Sequence, residues 1–339
     1  MRLKKYWSAK GYGKLKMTDS NIVKGETKCG FVTVLGAPNA GKSTLVNALV
    51  GAKVSIVTPK VQTTRARIRG VAVHGDTQIV YIDTPGIFTP RRKLDRSMVA
   101  AAWEGTEDSD ICVLIIDAHA WAVAGAGAGE KLAAARKAVT DSQAIIDGLK
   151  AQGQRAVLVL NKIDKLKRDQ LLHIAQELNE TGIFTDTFMI SAEKGFGLDG
   201  LRDHFLTHMK TGPWMYPADQ LSDMTDRLMA AEITREKLFL RLHQEIPYAL
   251  TVETEKYEWL KNKKNELRIE QVIYVQREGQ KKLVLGRGGQ TIKIVGQAAR
   301  EELSEILGCK VHLFLFVKIR ENWQNDPARY REMGLEISQ

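Results

Sequence analysis

The stretch Gly36-Ala37-Pro38-Asn39-Ala40-Gly41-Lys42-Ser43 reads G-x-x-x-x-G-K-S, and its reading decides the fold. Phe31-Val32-Thr33-Val34-Leu35 precedes it as a short buried strand, and Thr44-Leu45-Val46-Asn47-Ala48-Leu49-Val50 follows as a helix. Strand, glycine loop and helix in that order make a phosphate cradle. The glycines let backbone N–H groups from Gly36 to Thr44 turn inward around phosphate oxygens, and the helix N-terminus adds positive potential. Lys42 is then placed to reach the β- and γ-phosphates, and the Ser43 hydroxyl to bind magnesium.

The base is specified elsewhere. Val157-Leu158-Val159-Leu160 reads as a buried strand ending in Asn161-Lys162-Ile163-Asp164, the pattern N-K-x-D. An Asp carboxylate at Asp164 can accept two hydrogen bonds from the guanine N1–H and exocyclic amine. Adenine offers no such pair of donors, so a buried carboxylate would stay unpaired against it. Alone, N-K-x-D is also an ordinary strand-to-helix turn; its place downstream of the phosphate loop gives it meaning. Ser191 and Ala192, closing a further strand, add backbone contacts to the same base.

Between these lies Ile79-Val80-Tyr81-Ile82-Asp83-Thr84-Pro85-Gly86. Its strand delivers Asp83 towards magnesium, and the Gly86 N–H is placed to sense the γ-phosphate. Gln62-Thr63-Thr64-Arg65 sits where a first switch segment belongs. A threonine hydroxyl there completes the magnesium shell only while the γ-phosphate is present; Thr64 is preferred to Thr63. These elements, in this order, resemble the translation-factor-like GTPases over residues 28–212. The resemblance implies a mostly parallel, doubly wound α/β sheet with its ligand at the strands' C-terminal edge. Thr84, Pro85 and Ile87 complete the expected nucleotide contacts, and Asn39, Lys42, Thr64 and Gly86 the expected catalytic set. Ile87 stands where a glutamine would orient water in the Ras-like pattern, and its side chain cannot do so. In GTPases with a loop Asn and an apolar residue at these places, the Asn helps hold potassium near the phosphates. Asn39 therefore has two readings, a potassium ligand or a shaper of the loop. Slow intrinsic turnover follows.

Beyond Thr211-Gly212-Pro213-Trp214-Met215-Tyr216-Pro217 the pattern changes. Residues 224–244 read as a helix, 249–257 and 267–277 as strands, 280–289 as a short helix ending in glycines, 291–307 as a helix and 311–319 as a final strand. The domains expected are a basic extension over 1–29, a GTPase domain over 30–212, a linker and first helix over 213–237, a second domain over 238–321 and a tail over 322–339. Gly286-Arg287-Gly288-Gly289 is a G-x-x-G between the two central helices, where a type-II KH domain of α+β class needs it. The glycines let an RNA backbone approach, and Arg287 meets a phosphate, helped by Lys281, Lys282 and Lys293. Residues 261–320 hold thirteen Lys/Arg against six Asp/Glu, whereas 213–339 hold twenty against nineteen. The positive charge is thus concentrated around the glycine loop, which favours salt-dependent nucleic-acid binding.

The whole chain, from about Gly30 to Trp323, resembles the Era family of bacterial GTPases. The residues carrying this are Gly36 to Asn47, Q-T-T-R, D-T-P-G, N-K-x-D and V-x-R-E-G-Q-K-K (Val275 to Lys282). The resemblance implies GTP/GDP and magnesium as cofactors and the 3′ end of 16S ribosomal RNA and the 30S subunit as partners. It also implies a cytoplasmic monomer with peripheral association with the inner membrane. A rival reading is an RNA-binding assembly factor that uses GTP mainly as a structural ligand.

The rest of the chain constrains less. The chain is 339 residues long with a formal net charge of +10. No apolar run approaches spanning length. Cys29, Cys112 and Cys309 are isolated, so neither a disulfide framework nor a zinc site is indicated. Residues 1–29 are basic and lack a signal-peptide core, with Met17 a plausible start. The segment from Ala118 to Gly148, with its run Ala124-Gly125-Ala126-Gly127-Ala128-Gly129, reads as an exposed, flexible connection followed by a helix, far from the nucleotide.

Overall fold

The computed structural model describes residues 26–90, 92–107, 109–127, 131–243, 246–261, 265–321, 323 and 335. The N-terminal lead with Met17, most of the tail, and parts of the Ala/Gly run and of the 261–265 turn lie outside them. The chain divides into two compact units: one takes residues 26–55 and 64–223, the other residues 56–63 and 224–321.

The first unit runs β1 (Lys28–Leu35), α1 (Lys42–Val50), β2 (Ile68–His74), β3 (Thr77–Asp83), α2 (Lys93–Glu107), β4 (Ile111–Asp117), α3 (Ala118–Ala126), α4 (Leu132–Ala151), β5 (Ala156–Asn161), α5 (Arg168–Asn179), β6 (Phe184–Met189), α6 (Leu198–His208) and β7 (Lys210–Thr211). Its sheet has the order β2-β3-β1-β4-β5-β6, with β7 added against β1. All pairings are parallel except β2–β3 and β1–β7. The central strands are apolar on both faces, as a sheet covered by helices on both sides requires. Ile111, Val113 and Ile115 of β4 join Leu45 and Val46 of α1 and Leu201 and Phe205 of α6. Cys112, Leu114 and Ile116 face the other way, onto Ile145 and Ile146 of α4 and Leu171 and Ile174 of α5. The nucleotide motifs gather at the C-terminal ends of β1, β3, β4, β5 and β6.

One expectation is overturned here. Residues 118–126 form a helix, not an open connection. Asp117 caps it by accepting from the Ala120 N–H at 2.9 Å. Trp121 buries its ring in the core and donates from Nε1 to Glu177 of α5 at 3.1 Å. A single buried tryptophan anchors an alanine-rich helix that carries no apolar stripe for sequence reading to detect.

The second unit runs α7 (Asp226–Arg241), β8 (Thr251–Trp259), β9 (Glu266–Val275), α8 (Glu278–Leu285), α9 (Gln290–Leu307) and β10 (Lys310–Ile319). Strand order is β10-β9-β8, with β9 parallel to β10 and antiparallel to β8. Helix α7 starts at a Thr225 cap and crosses residue 238 without a break. Its core contains Leu238, Leu250, Ile273, Val284 and Val295 on one side and Ile233, Leu267, Ala299 and Leu303 on the other.

Residues 56–63 belong to this unit through polar contacts with α7. The Val57 N–H donates to Glu236 at 2.9 Å, and Arg235 donates to the Thr63 carbonyl at 2.5 Å. Lys60 donates to the carbonyls of Phe239 and Leu242 at the helix's C-terminal end. Those carbonyls lack intrahelical partners, which is why a lysine there is favourable.

Candidate nucleotide and RNA sites

The phosphate loop closes through two forced glycines. Gly41 has φ +106°, and a Cβ there would lie 2.2 Å from Asn161 Nδ2. A Cβ on Gly36 would lie 2.6 Å from the Ile115 carbonyl oxygen. Both positions bring the loop hard against β4 and β5. Asn39 also adopts a left-handed conformation, φ +64°, and is exposed. Lys42 is buried and donates to the carbonyls of Gly36 and Ala37 at 2.9 Å each. Burial lowers its pKa to about 8, partly opposed by Asp83.

Asp83, Ser43 and Thr64 meet at one point. The Ser43 hydroxyl donates to Asp83 Oδ2 at 2.6 Å and lies 2.9 Å from Thr64 Oγ1, which donates to the same carboxylate oxygen at 3.3 Å. Burial pushes the Asp83 carboxyl up, opposed by the Ser43 hydrogen bond and then by Lys42. Its other oxygen, Oδ1, is buried with no hydrogen-bond partner. A buried carboxylate oxygen of this kind, beside two hydroxyls, suits a hard divalent cation such as magnesium, whose shell is completed by phosphates and water. Thr63, by contrast, bonds Thr58 and the Lys60 carbonyl.

The Asp83–Ile87 loop is pinned at both ends. Thr84 is fully buried and its hydroxyl donates to the Val34 carbonyl at 2.7 Å. A Cβ on Gly86 would meet Pro38 at 3.0 Å, and the Ile87 N–H donates to the Gly36 carbonyl. Pro85 is buried beside it. The Ile87 side chain packs with Leu35 and Ala102 in the core.

The base loops are stitched to the phosphate loop. Asn161 donates to the Ala40 carbonyl at 2.8 Å and accepts from the Ala192 N–H at 3.0 Å. Lys162 donates to the Asn39 carbonyl at 2.8 Å and to Asp117 Oδ2 at 2.5 Å. Asp164 accepts from the Ser191 hydroxyl at 2.8 Å and pairs with Lys194 at 3.3 Å. The Ser191 hydrogen bond leads in holding the Asp164 carboxyl below its ordinary range, so the group is charged at neutral pH. Sequence reading missed Asp117 and Lys194: Asp117 is distant in the chain from Lys162, and Lys194 follows Ala192 by two residues but meets Asp164 only in the fold.

In the second unit, Gly286, Gly288 and Gly289 all have positive φ, at +74°, +58° and +76°. A Cβ on Gly286 would strike Thr291 Oγ1 at 2.2 Å, whereas Gly288 and Gly289 face open space. Arg287, Lys282 and Lys293 are exposed and Lys281 half-buried, with Leu283 and Ile294 presenting apolar surface beside them. A cleft of about 590 Å³ between α9 and β10, lined by Arg300, Ser304, His312 and Phe314, was not foreseen from sequence.

Known proteins carry the same arrangement. The family of the 50S ribosome-binding GTPase matches residues 31–162, and the KH domain family matches residues 245–324. GTPase Era of Rhizobium meliloti strain 1021 is 56% identical over 311 residues, covering 92% of this chain and 94% of that protein. The chain belongs to the GTPase Era family. GTPase Era of Caulobacter vibrioides strain NA1000 / CB15N is 52% identical, covering 95% of this chain and 99% of its own length. A crystal structure of Era with MgGDPNP and nucleotides 1506–1542 of 16S ribosomal RNA superposes with a TM-score of 0.81. It is 35% identical over 91% of this chain and 99% of that one. This member of the Era family is therefore a GTPase with a KH domain. No helix among its described residues is long and apolar enough to cross a membrane.

Proposed function

We propose that this protein is a GTP-driven switch that binds the 3′ end of 16S ribosomal RNA and assists assembly of the 30S subunit. One observation carries the switch. Thr64 reaches the Ser43–Asp83 pair, while the carbonyl of Thr63, the residue before it, is held by Arg235 of α7. A change in what Thr64 binds thus acts one residue away from a contact inside the KH-containing unit.

In this reading the N–H groups from Gly36 to Thr44 surround the phosphates. Lys42 turns from its loop carbonyls to the β- and γ-oxygens. Ser43, Thr64 and Asp83 would hold magnesium, which when bound would neutralise phosphate charge. The Gly86 N–H senses the γ-phosphate, and Asn161, Lys162, Asp164, Ser191 and Ala192 form the guanine site. Asn39, exposed on the phosphate loop, would help hold potassium, whose charge would do the electrostatic work of an arginine finger. Gly286 to Gly289, with Lys281, Lys282 and Lys293, clamps the RNA backbone. The family resemblance supports a cytoplasmic monomer that meets the inner membrane peripherally.

The test is the affinity for an oligonucleotide copying the 16S 3′ end, at fixed salt, with a non-hydrolysable GTP analogue or GDP bound. Tighter binding with the analogue is expected. Equal binding in both states would overturn the switch and favour GTP as a structural ligand.

A further inference from the structure

We propose that Asp117 is a positioning residue of the nucleotide site, acting through Lys162 on both the base loop and the phosphate loop. Asp117 ends β4 directly opposite Asn161 at the end of β5. Its carboxylate has two separate tasks. Oδ1 caps α3 through the Ala120 N–H, and Oδ2 pairs with Lys162. The Lys162 ammonium also donates to the Asn39 carbonyl, so one short chain of charge-assisted bonds links β4, the guanine motif and the phosphate loop.

Lys162 needs such a hold. Its backbone has φ +65°, a conformation that costs a residue with a long side chain and persists only when the surroundings enforce it. Asn161, on one side, is fixed by Ala40 and Ala192, and Asp164, on the other, by Ser191. The Lys162 side chain is fixed only at its tip among the contacts that define the site. The Asp117 and Lys162 side chains are 17% and 27% exposed, so solvent screens the pair less than it would on an open surface. Without the carboxylate, the ammonium is free to leave the Asn39 carbonyl for water, and both loops loosen where they meet the nucleotide.

The two tasks can be separated by mutation. Asparagine caps a helix as well as aspartate does. Asp117→Asn therefore keeps the α3 cap and the side-chain volume while removing the charge that holds Lys162. The proposal rests on the guanine-site reading, so GDP and GTP-analogue release from the unaltered protein is measured alongside. If that protein holds no guanine nucleotide, the site reading itself fails.

Asp117→Asn should release GDP and the GTP analogue about tenfold faster, the scale of one charge-assisted hydrogen bond. kcat at saturating GTP should change less than twofold, and the melting temperature should not move. In a Lys162→Gln background the same substitution should have no further effect. Unchanged release rates would overturn the proposal. So would an equal loss with and without Lys162, which would show that Asp117 does not act through it. A loss matched by a fall in melting temperature, reproduced by Asp117→Ala but not by Asp117→Asn, would assign Asp117 to the cap alone.

Discussion

At the scale of residues, the burial of Lys42 predicts that nucleotide binding is coupled to pH. Its burial lowers the pKa to about 8 from an ordinary 10.5. Between those values the unfolded chain binds more protons than the folded one. Stability of the nucleotide-free protein should therefore rise with pH across that window, because folding no longer buries a charge. Phosphate beside Lys42 would restore the charged form, so binding above pH 8 should take up a proton. GTP affinity should be highest below pH 8 and fall as pH rises beyond it. Titration calorimetry in buffers of different ionisation enthalpy measures that proton directly. Lys42→Met should remove both dependences. The two forced glycines belong to the same scale: Gly36 and Gly41 are required because backbone and Asn161 occupy the space of a Cβ.

At the scale of elements, α7 does more than cover a sheet. Arg235 is only 1% exposed, bonds Glu232 from Nε at 2.7 Å and reaches the Thr63 carbonyl. Arg235→Met would leave Glu232 without its partner and the Thr63 carbonyl without its donor. Breaking a buried ion pair from one side costs about 3 kcal/mol. The expected result is a destabilised second unit in denaturant melts, with faster amide exchange at Val57 and its neighbours. Unaltered exchange there would mean that residues 56–63 are held by their own turn, through Thr58 and Thr63, and not by the helix. Helix α3 makes the converse point. Its alanines carry no periodic signal, yet Trp121 and the Asp117 cap decide its structure.

At the scale of the whole molecule, each unit has its own apolar core, and this separates two binding functions. Gly288 and Gly289 have positive φ and open space around them. Aspartate tolerates that backbone better than most residues, so Gly288→Asp with Gly289→Asp should leave the fold intact. It places two negative charges where phosphate is expected. RNA affinity should fall by more than about tenfold through like-charge repulsion, while GTP affinity stays within twofold. Filter binding and GDP-release kinetics on the same preparation give both readings. A parallel loss of nucleotide affinity would show that the loop supports the first unit as well.

Sequence alone determined the nucleotide chemistry. G-x-x-x-x-G-K-S, D-T-P-G and N-K-x-D are short, and each works through backbone groups or side chains at fixed spacing beside a strand end. Local order therefore suffices to read them. The element order of the KH unit was legible for the same reason, since apolar periodicity marks helices and strands one at a time. Only the tertiary structure decided that residues 56–63 join α7 and that 118–126 is helical. It also decided that Asp117 and Lys194 stand beside Lys162 and Asp164. Those facts depend on side chains far apart in the chain meeting across a sheet edge or a helix end. Such meetings are fixed by how strands pair and how buried groups find partners, and no local pattern encodes them.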